Sequence, residues 1–272
     1  MKILDKIIHD KKIEIKTLSD IVPVSDLEKQ KDFTKKCKSL KESIKKSKSG
    51  IICEFKRKSP SNGNINYTSN ISDVIKGYEK AGAVGVSILT NKKYFDGSIS
   101  DINDVKTSIE IPILRKEFVI SEYQIIEAKS IGSDSILLIA SILSKEQIKN
   151  YSSLAKSLGL EVLLEIHSID ELNEVSKYDI DIIGVNNRNL DTLEIDIKNS
   201  IEIFKENFPE TSANKVSVPQ VRGPISSELG NTLKLIKWFP FTSTTGIVYR
   251  LKKHGSVSPF DHVEVSHTQI TF

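Results

Sequence analysis

Short runs of apolar, mostly β-branched residues recur along the first two thirds of the chain. They are IICEF at 51–55, VGVSIL at 84–89, IPIL at 111–114, SILLIA at 135–140, EVLLE at 161–165 and DIIGV at 181–185, with starts 20 to 33 residues apart. Between them lie segments whose apolar residues follow the 3.6 period, such as Ile71, Val74, Ile75 and Tyr78, or Ile125, Ile126 and Ala128. Ser144 with Gln147 and Ser168 with Glu171 fit the capping box in which two orphan backbone donors are satisfied reciprocally. Gly82, Gly132 and Gly159 each follow a helical stretch and suit a left-handed cap. Six alternating βα units result. Strands that are apolar throughout are buried on both faces, so the sheet is parallel, either a closed barrel or a doubly wound sheet. No GxGxxG or Walker loop follows the first strand, which weighs against the nucleotide-binding sheet. Ahead of this array, residues 1 to about 46 read as two amphipathic helices, with Ile3, Leu4, Ile7 and Ile8 on one face and Leu40 with Ile44 on another. They are expected to cover a barrel end.

Composition narrows the class. At 272 residues the length suits one α/β barrel, and 38% hydrophobic with 28% charged residues is globular usage. No apolar run approaches the roughly 20 residues of a membrane span, and the N-terminal stretch lacks a signal-peptide core. A cytoplasmic protein without membrane partners is expected. The net charge of +3, from 39 basic and 36 acidic residues, does not favour nucleic acid. Cys37 and Cys53 show neither CxxC spacing nor histidine neighbours, so neither a metal site nor a disulfide framework is implied.

Polar groups gather where the apolar runs stop, which in a parallel α/β barrel is where active sites are built. The first run ends in EFKRKSPS, and alternation puts Glu54, Lys56 and Lys58 on one side if the strand stays extended that far. The third ends in LRKEF with Lys116, the fifth in LLEIH with Glu165, and the sixth in GVNNRNL with Asn186 and Arg188. A lysine among apolar walls and near another cation loses pKa and can serve as an acid or Schiff-base former. A glutamate near lysines stays ionised as a base. An anionic, hydroxylated small substrate follows from such a set.

In order and spacing, IICEFKRKSPSNG, SILTNKKYFDGS, ILRKEFVI, LLEIHSIDEL and GVNNRNLDTLEID closely resemble the successive strand motifs of indole-3-glycerol phosphate synthases, over roughly residues 1 to 205. The resemblance implies a (β/α)8 TIM barrel with an N-terminal helical extension. It also implies an enzyme of tryptophan biosynthesis, a carboxy-lyase needing no cofactor, which closes the pyrrole ring of 1-(2-carboxyphenylamino)-1-deoxyribulose 5-phosphate with loss of carbon dioxide and water. By resemblance, Lys116 is the general acid, Glu165 moves a proton during dehydration, Lys56 assists as acid or anchor, and Glu54 positions or shares protons with the lysines. Ser59 and Pro60 shape the floor, and Asn186 with Arg188 hold substrate hydroxyl and carboxylate groups. Phe118, with Tyr94 or Phe95, offers an apolar wall for the anthranilate ring, the alternative for these aromatics being plain core packing.

The pattern then departs. The family's seventh and eighth strands end in SESGI-like and LIG-like motifs that cradle phosphate. Here Val218 and Pro219 stand where Glu and Ser are expected, and Pro219 has no backbone donor. No LIG motif follows, and 240–247 (PFTSTTGI) is a poor eighth strand, so strands seven and eight are expected to be disrupted. The chain therefore divides into an extension (1–46), family-like βα units (47–211) and an atypical region (212–272) within a single barrel domain. Loss of every motif at one point motivates the hypothesis of a reading-frame shift near residue 212, the competing reading being a divergent natural terminus; translation of the other two downstream frames tests it. Three functions are carried forward: an active synthase acting on a phosphorylated small molecule; a catalytically impaired or inactive remnant lacking the phosphate site, with open edges on the first and sixth strands; and a Schiff-base barrel enzyme using Lys116.

Overall fold

A computed structural model of the chain describes residues 2–47, 50–60, 63–65, 69–175, 178–188, 196, 199–200 and 202–203, together with the backbone of 235–237 and 239–240. Six parallel strands form its centre: β1 (Ile51–Phe55), β4 (Gly85–Leu89), β5 (Ile113–Lys116), β6 (Ser135–Ile139), β7 (Glu161–Ile166) and β8 (Ile182–Val185), paired in that order. A two-residue hairpin, β2 (Lys58–Ser59) with β3 (Gly63–Asn64), follows β1. Helices α4 (Ile71–Lys80), α5 (Lys92–Phe95), α6 (Ile99–Val105), α7 (Glu122–Ser130), α8 (Lys145–Ser157) and α9 (Ile169–Val175) occupy the connections. This is the α/β barrel architecture read from the sequence. The third strand begins two residues later than the apolar run IPIL: Pro112 has no N–H for a central ladder, although its carbonyl accepts from Val86 N at 3.0 Å.

Alternation along the strands separates two cores. Ile52, Leu114, Leu137, Leu163 and Ile182 pack together inside the sheet, while Ile136, Leu138, Val162 and Leu164 pack outward against α7 and α8. Gly82, Gly132 and Gly159 have φ of 88°, 86° and 76°, the left-handed cap expected of them. Ser144 and Gln147 complete a capping box on α8. Ser168 and Glu171 complete only half of one: Ser168 Oγ accepts from Glu171 N at 3.2 Å, but the Glu171 carboxylate takes His167 N at 2.6 Å instead of the cap residue's own N–H.

The N-terminal extension serves both barrel ends, not the one end anticipated. Helix α1 (Ile3–Ile21) lies by the carboxyl ends of the strands, where Ile7 packs with Leu89, Phe95 and Phe118. The chain then runs along α7, through α2 (Val24–Leu27) and a 3-10 turn (Lys31–Thr34). Tyr123, at the start of α7, donates to Val22 O at 3.0 Å, and Lys106 pairs with Asp32 at 2.5 Å near that helix's other end. It finishes in α3 (Leu40–Lys46), whose Leu40 and Ile44 close the amino end of the barrel beside Ile52. An amphipathic pattern shows that a face is covered, but not by which part of the molecule.

Two short strands complete the sheet. Residues Leu235–Lys237 (β9) pair antiparallel with β1, and Phe239–Pro240 (β10) pair antiparallel with β8. The edges anticipated to be open are therefore both engaged, and by strands of opposite direction to the parallel seventh and eighth strands of the implied barrel. Val218, Pro219, the phosphate cradle, the frame-shift point and most of 212–272 lie outside the described residues. No helix among the described residues is long and apolar enough to cross a membrane.

Candidate active site

The inward-facing positions turn from apolar to charged toward the carboxyl ends of the strands. On β1, Ile52 is followed by Glu54 and, one residue past the strand's end, by Lys56; on β5, Leu114 by Lys116; on β7, Leu163 by Glu165. All four charged groups are 4% exposed or less. Glu54 bridges the two lysines, with Oε2 2.6 Å from Lys116 Nζ and Oε1 2.9 Å from Lys56 Nζ. Lys58 does not join them. Strand β1 stops at Phe55 and the chain turns into β2, which leaves Lys58 half-buried, so the expected face of three charges holds for two.

Burial alone pushes the Glu54 carboxyl up, but Lys116 and Lys56 together outweigh it and hold it down at about 2. Burial also dominates at Lys116 and lowers its ammonium below the usual lysine range, against the pull of Glu54 and Glu165 and with the push of Lys56. The two directions agree physically, since one carboxylate serves two cations. The carboxylate is the secure charge and the Lys116 proton the readily given one. Glu165 is fully buried and burial raises its carboxyl, while the charges of His167 and Lys116 and a hydrogen bond from Asn186 pull the other way.

Asn186 Nδ2 donates to Glu165 Oε1 at 3.1 Å, and Asn186 Oδ1 accepts from Arg188 N at 2.9 Å, so the turn after β8 fixes the Asn186 amide against β7. Glu165 Oε2 and Arg188 Nε have no hydrogen-bond partner among the described residues. Ser59 is fully buried, whereas the adjacent Pro60 is exposed. Phe118 is buried against Phe95, ring centroids 6.2 Å apart, and the Tyr94 hydroxyl bonds Asp10 of α1. Among the described residues no cluster of His, Cys, Asp and Glu is placed to hold a metal ion.

Sequence reasoning missed the groups that hold this set in place. Glu117, beside Lys116, accepts from Thr90 Oγ1 at 3.0 Å and from Phe118 N at 2.9 Å, and pairs with Lys11 of α1 at 3.2 Å. Lys11 is 2% exposed, an inward lysine on an otherwise apolar helix face whose only signal was its one-turn spacing from Ile7 and Ile8. Gly97 closes the loop after β4: a Cβ there would lie 2.1 Å from Leu89 O, so only glycine lets the loop fold back on the strand end. His167, two residues beyond Glu165, lies 3.7 Å from its Oε1.

Comparison with known proteins agrees with this geometry. Residues 4–219 match the family model for indole-3-glycerol phosphate synthase. The chain belongs to that family. It is 41% identical over 223 residues to the indole-3-glycerol phosphate synthase of Bacteroides thetaiotaomicron, covering 80% of this chain and 85% of that protein. The enzymes of the same name from Prochlorococcus marinus (strain MIT 9515) and Caldanaerobacter subterraneus are each 40% identical, over 207 residues (75% of this chain, 70% of the relative) and 208 residues (76% and 80%). Similarity of this extent favours a synthase over an inactive remnant. The family match stops at Pro219, close to where the motifs give out.

Proposed function

We propose that the chain is an indole-3-glycerol phosphate synthase, converting 1-(2-carboxyphenylamino)-1-deoxyribulose 5-phosphate to indole-3-glycerol phosphate in the cytoplasm without a cofactor. The observation that carries this reading is the buried Lys56–Glu54–Lys116 array at the carboxyl end of the barrel. Desolvating three charges costs several kcal/mol per ion before pairing. A hydrophobic trio would serve stability better, so the array points to chemistry.

Lys116 donates to the ribulose carbonyl as the aromatic ring carbon attacks it, and a lowered amine pKa makes that proton easier to give. Carbon dioxide leaves the quaternary carbon. Glu165, kept basic by burial, takes up the proton released as the hydroxyl departs as water. Lys56 assists that departure or anchors an anionic group, while Asn186 and Arg188 hold hydroxyl and carboxylate. Ser59 and Pro60 form the floor, and Phe118 flanks the ring. Incubating the full chain with the carboxyphenylamino substrate and following indole fluorescence tests the proposal. Turnover that disappears in Lys116→Met supports it; turnover unaffected by Lys116→Met would overturn the assignment, and no turnover at any substrate concentration would overturn the activity.

A further inference from the structure

His167 stands between two carboxylates of different exposure. Its Nε2 is 3.7 Å from Glu165 Oε1 on β7, which is wholly buried, and its Nδ1 is 3.6 Å from Glu171 Oε2 on α9, whose side chain is 25% exposed. The imidazole is itself only 16% exposed, and neither ring nitrogen has a hydrogen-bond partner among the described residues. An imidazole placed so, with nothing else holding its nitrogens, is not explained by packing or capping. The backbone fixes the arrangement instead. His167 N donates to Glu171 Oε2 at 2.6 Å, Glu171 N donates to Ser168 Oγ at 3.2 Å, and Asn199 Nδ2 donates to His167 O at 3.0 Å. The incomplete capping box thereby has a purpose: the carboxylate that would have closed it is turned toward the histidine.

We propose that His167 and Glu171 form a relay that carries the proton taken up by Glu165 out to solvent, resetting the base after each dehydration. The step rests on the reading of Glu165 as the base. Protonated Glu165 passes its proton from Oε1 to Nε2 of neutral His167; the Nδ1 proton passes to Glu171 Oε2; Glu171 releases it to water. No other reactant is needed: both carboxylates end as they began, and His167 ends as its Nε2–H tautomer, which a half-turn of the ring resets for the next cycle. Both gaps are longer than a hydrogen bond and close with a small side-chain rotation, as catalytic contacts do once substrate excludes water. The charges bearing on the relay are Glu165 on β7, Glu171 on α9 and, through Glu165, Lys116 on β5 and Glu54 on β1. In the resting protein the two flanking carboxylates outweigh burial and raise the imidazole above its ordinary value. It is thus already inclined to accept.

The test uses the full chain and two readouts. NMR titration follows the His167 imidazole, assigned by its disappearance in His167→Gln. Glu171→Gln and Glu165→Gln are each expected to lower its midpoint by about one pH unit. This arm needs no turnover, and a midpoint that stays put in either variant overturns the relay. In turnover, His167→Gln is expected to lower kcat about tenfold with KM little changed, a fraction of the 100-fold or more carried by the base itself. His167→Ala should be rescued by added imidazole. Wild-type kcat in His167→Gln, or a loss that imidazole does not restore in His167→Ala, overturns it. Full turnover in Glu165→Gln shows instead that the base assignment is wrong; an inactive Glu165→Gln beside a normal His167→Gln removes the relay alone.

Discussion

Both ends of this barrel bury charge, and they do so in opposite ways. At the amino end, Asp134 accepts from Lys38 N at 2.7 Å and from Ile113 N at 2.8 Å. Glu161 accepts from Lys41 N at 2.8 Å and from the Ser39 hydroxyl, and Asp181 accepts from Val162 N at 2.8 Å and pairs with Lys156. Each carboxylate there caps a strand or the α3 helix with backbone donors, and its charge is spent locally. At the carboxyl end Glu54 is shared between two lysines, Glu165 keeps an oxygen without a described partner, and His167 and Arg188 keep nitrogens in the same condition. Satisfied charge joins the parts of the fold; charge left with spare valence is available to a ligand.

The comparison can be broken by finding a carboxyl-end group that matters only for folding, or an amino-end group that matters for turnover. The largest effect expected is on activity. Lys116→Met should lower kcat by about 1,000-fold, within the range for loss of a positioned acid, while the folded protein is retained. Steady-state fluorescence with a parallel thermal melt checks it, and a melt that collapses along with activity would erase the distinction. Next comes Asp134→Ala, which strands one buried and one half-buried backbone donor and should cost about 3 kcal/mol in urea unfolding with kcat of the folded fraction unchanged. A changed kcat at full folding would count against it.

Acid sharpens the contrast. Folded Glu54 titrates at about 2 against an ordinary 4.5, so its contribution is complete above pH 4.5 and fades as the pH falls toward 2. Asp134 has the opposite sign, because burial raises its carboxyl, and it gives up nothing in that window. Stability measured against pH should therefore lose part of its acid slope in Glu54→Gln and not in Asp134→Asn; equal slopes in wild type and Glu54→Gln would contradict the pairing. The smallest effect is for Lys11→Met. Glu117 retains Thr90 and the Phe118 amide, so about 2 kcal/mol of stability and a severalfold fall in kcat are expected, the latter through a looser Lys116. Unchanged kcat would make α1 a cover and no more.

The six strands were legible because a strand buried on both faces has to be apolar along its whole length. The charged groups were legible because each interrupts such a run at its end. What pairs with what was not. Glu54 and Lys116 are 62 residues apart and Lys11 and Glu117 are 106 apart, and alternation places a side chain on a face without naming its neighbour. Lys58 was misplaced because alternation assumes extension, and nothing in KRKSPS marks Phe55 as the last strand residue before the hairpin. Pro112 did carry its signal, in its missing N–H. The shared use of Glu171 by a cap and by a histidine could not be read from Ser168-x-x-Glu171, where the motif spells a complete box.

The route of the N-terminal extension bears on how the molecule is made. Ser39 and Lys41 find Glu161 about 120 residues further along, Lys38 finds Asp134 96 residues further, and Lys11 waits for Glu117. On the ribosome, the segment synthesised first is thus among the last to find its partners. Ser39 and Lys41 stay without Glu161 until β7 emerges, a delay of about ten seconds at ordinary translation speeds. The strap that ends up joining top and bottom of the barrel is a nascent-chain liability before it is a fastening. Chaperone dependence should follow the first 46 residues more than the strands they enclose.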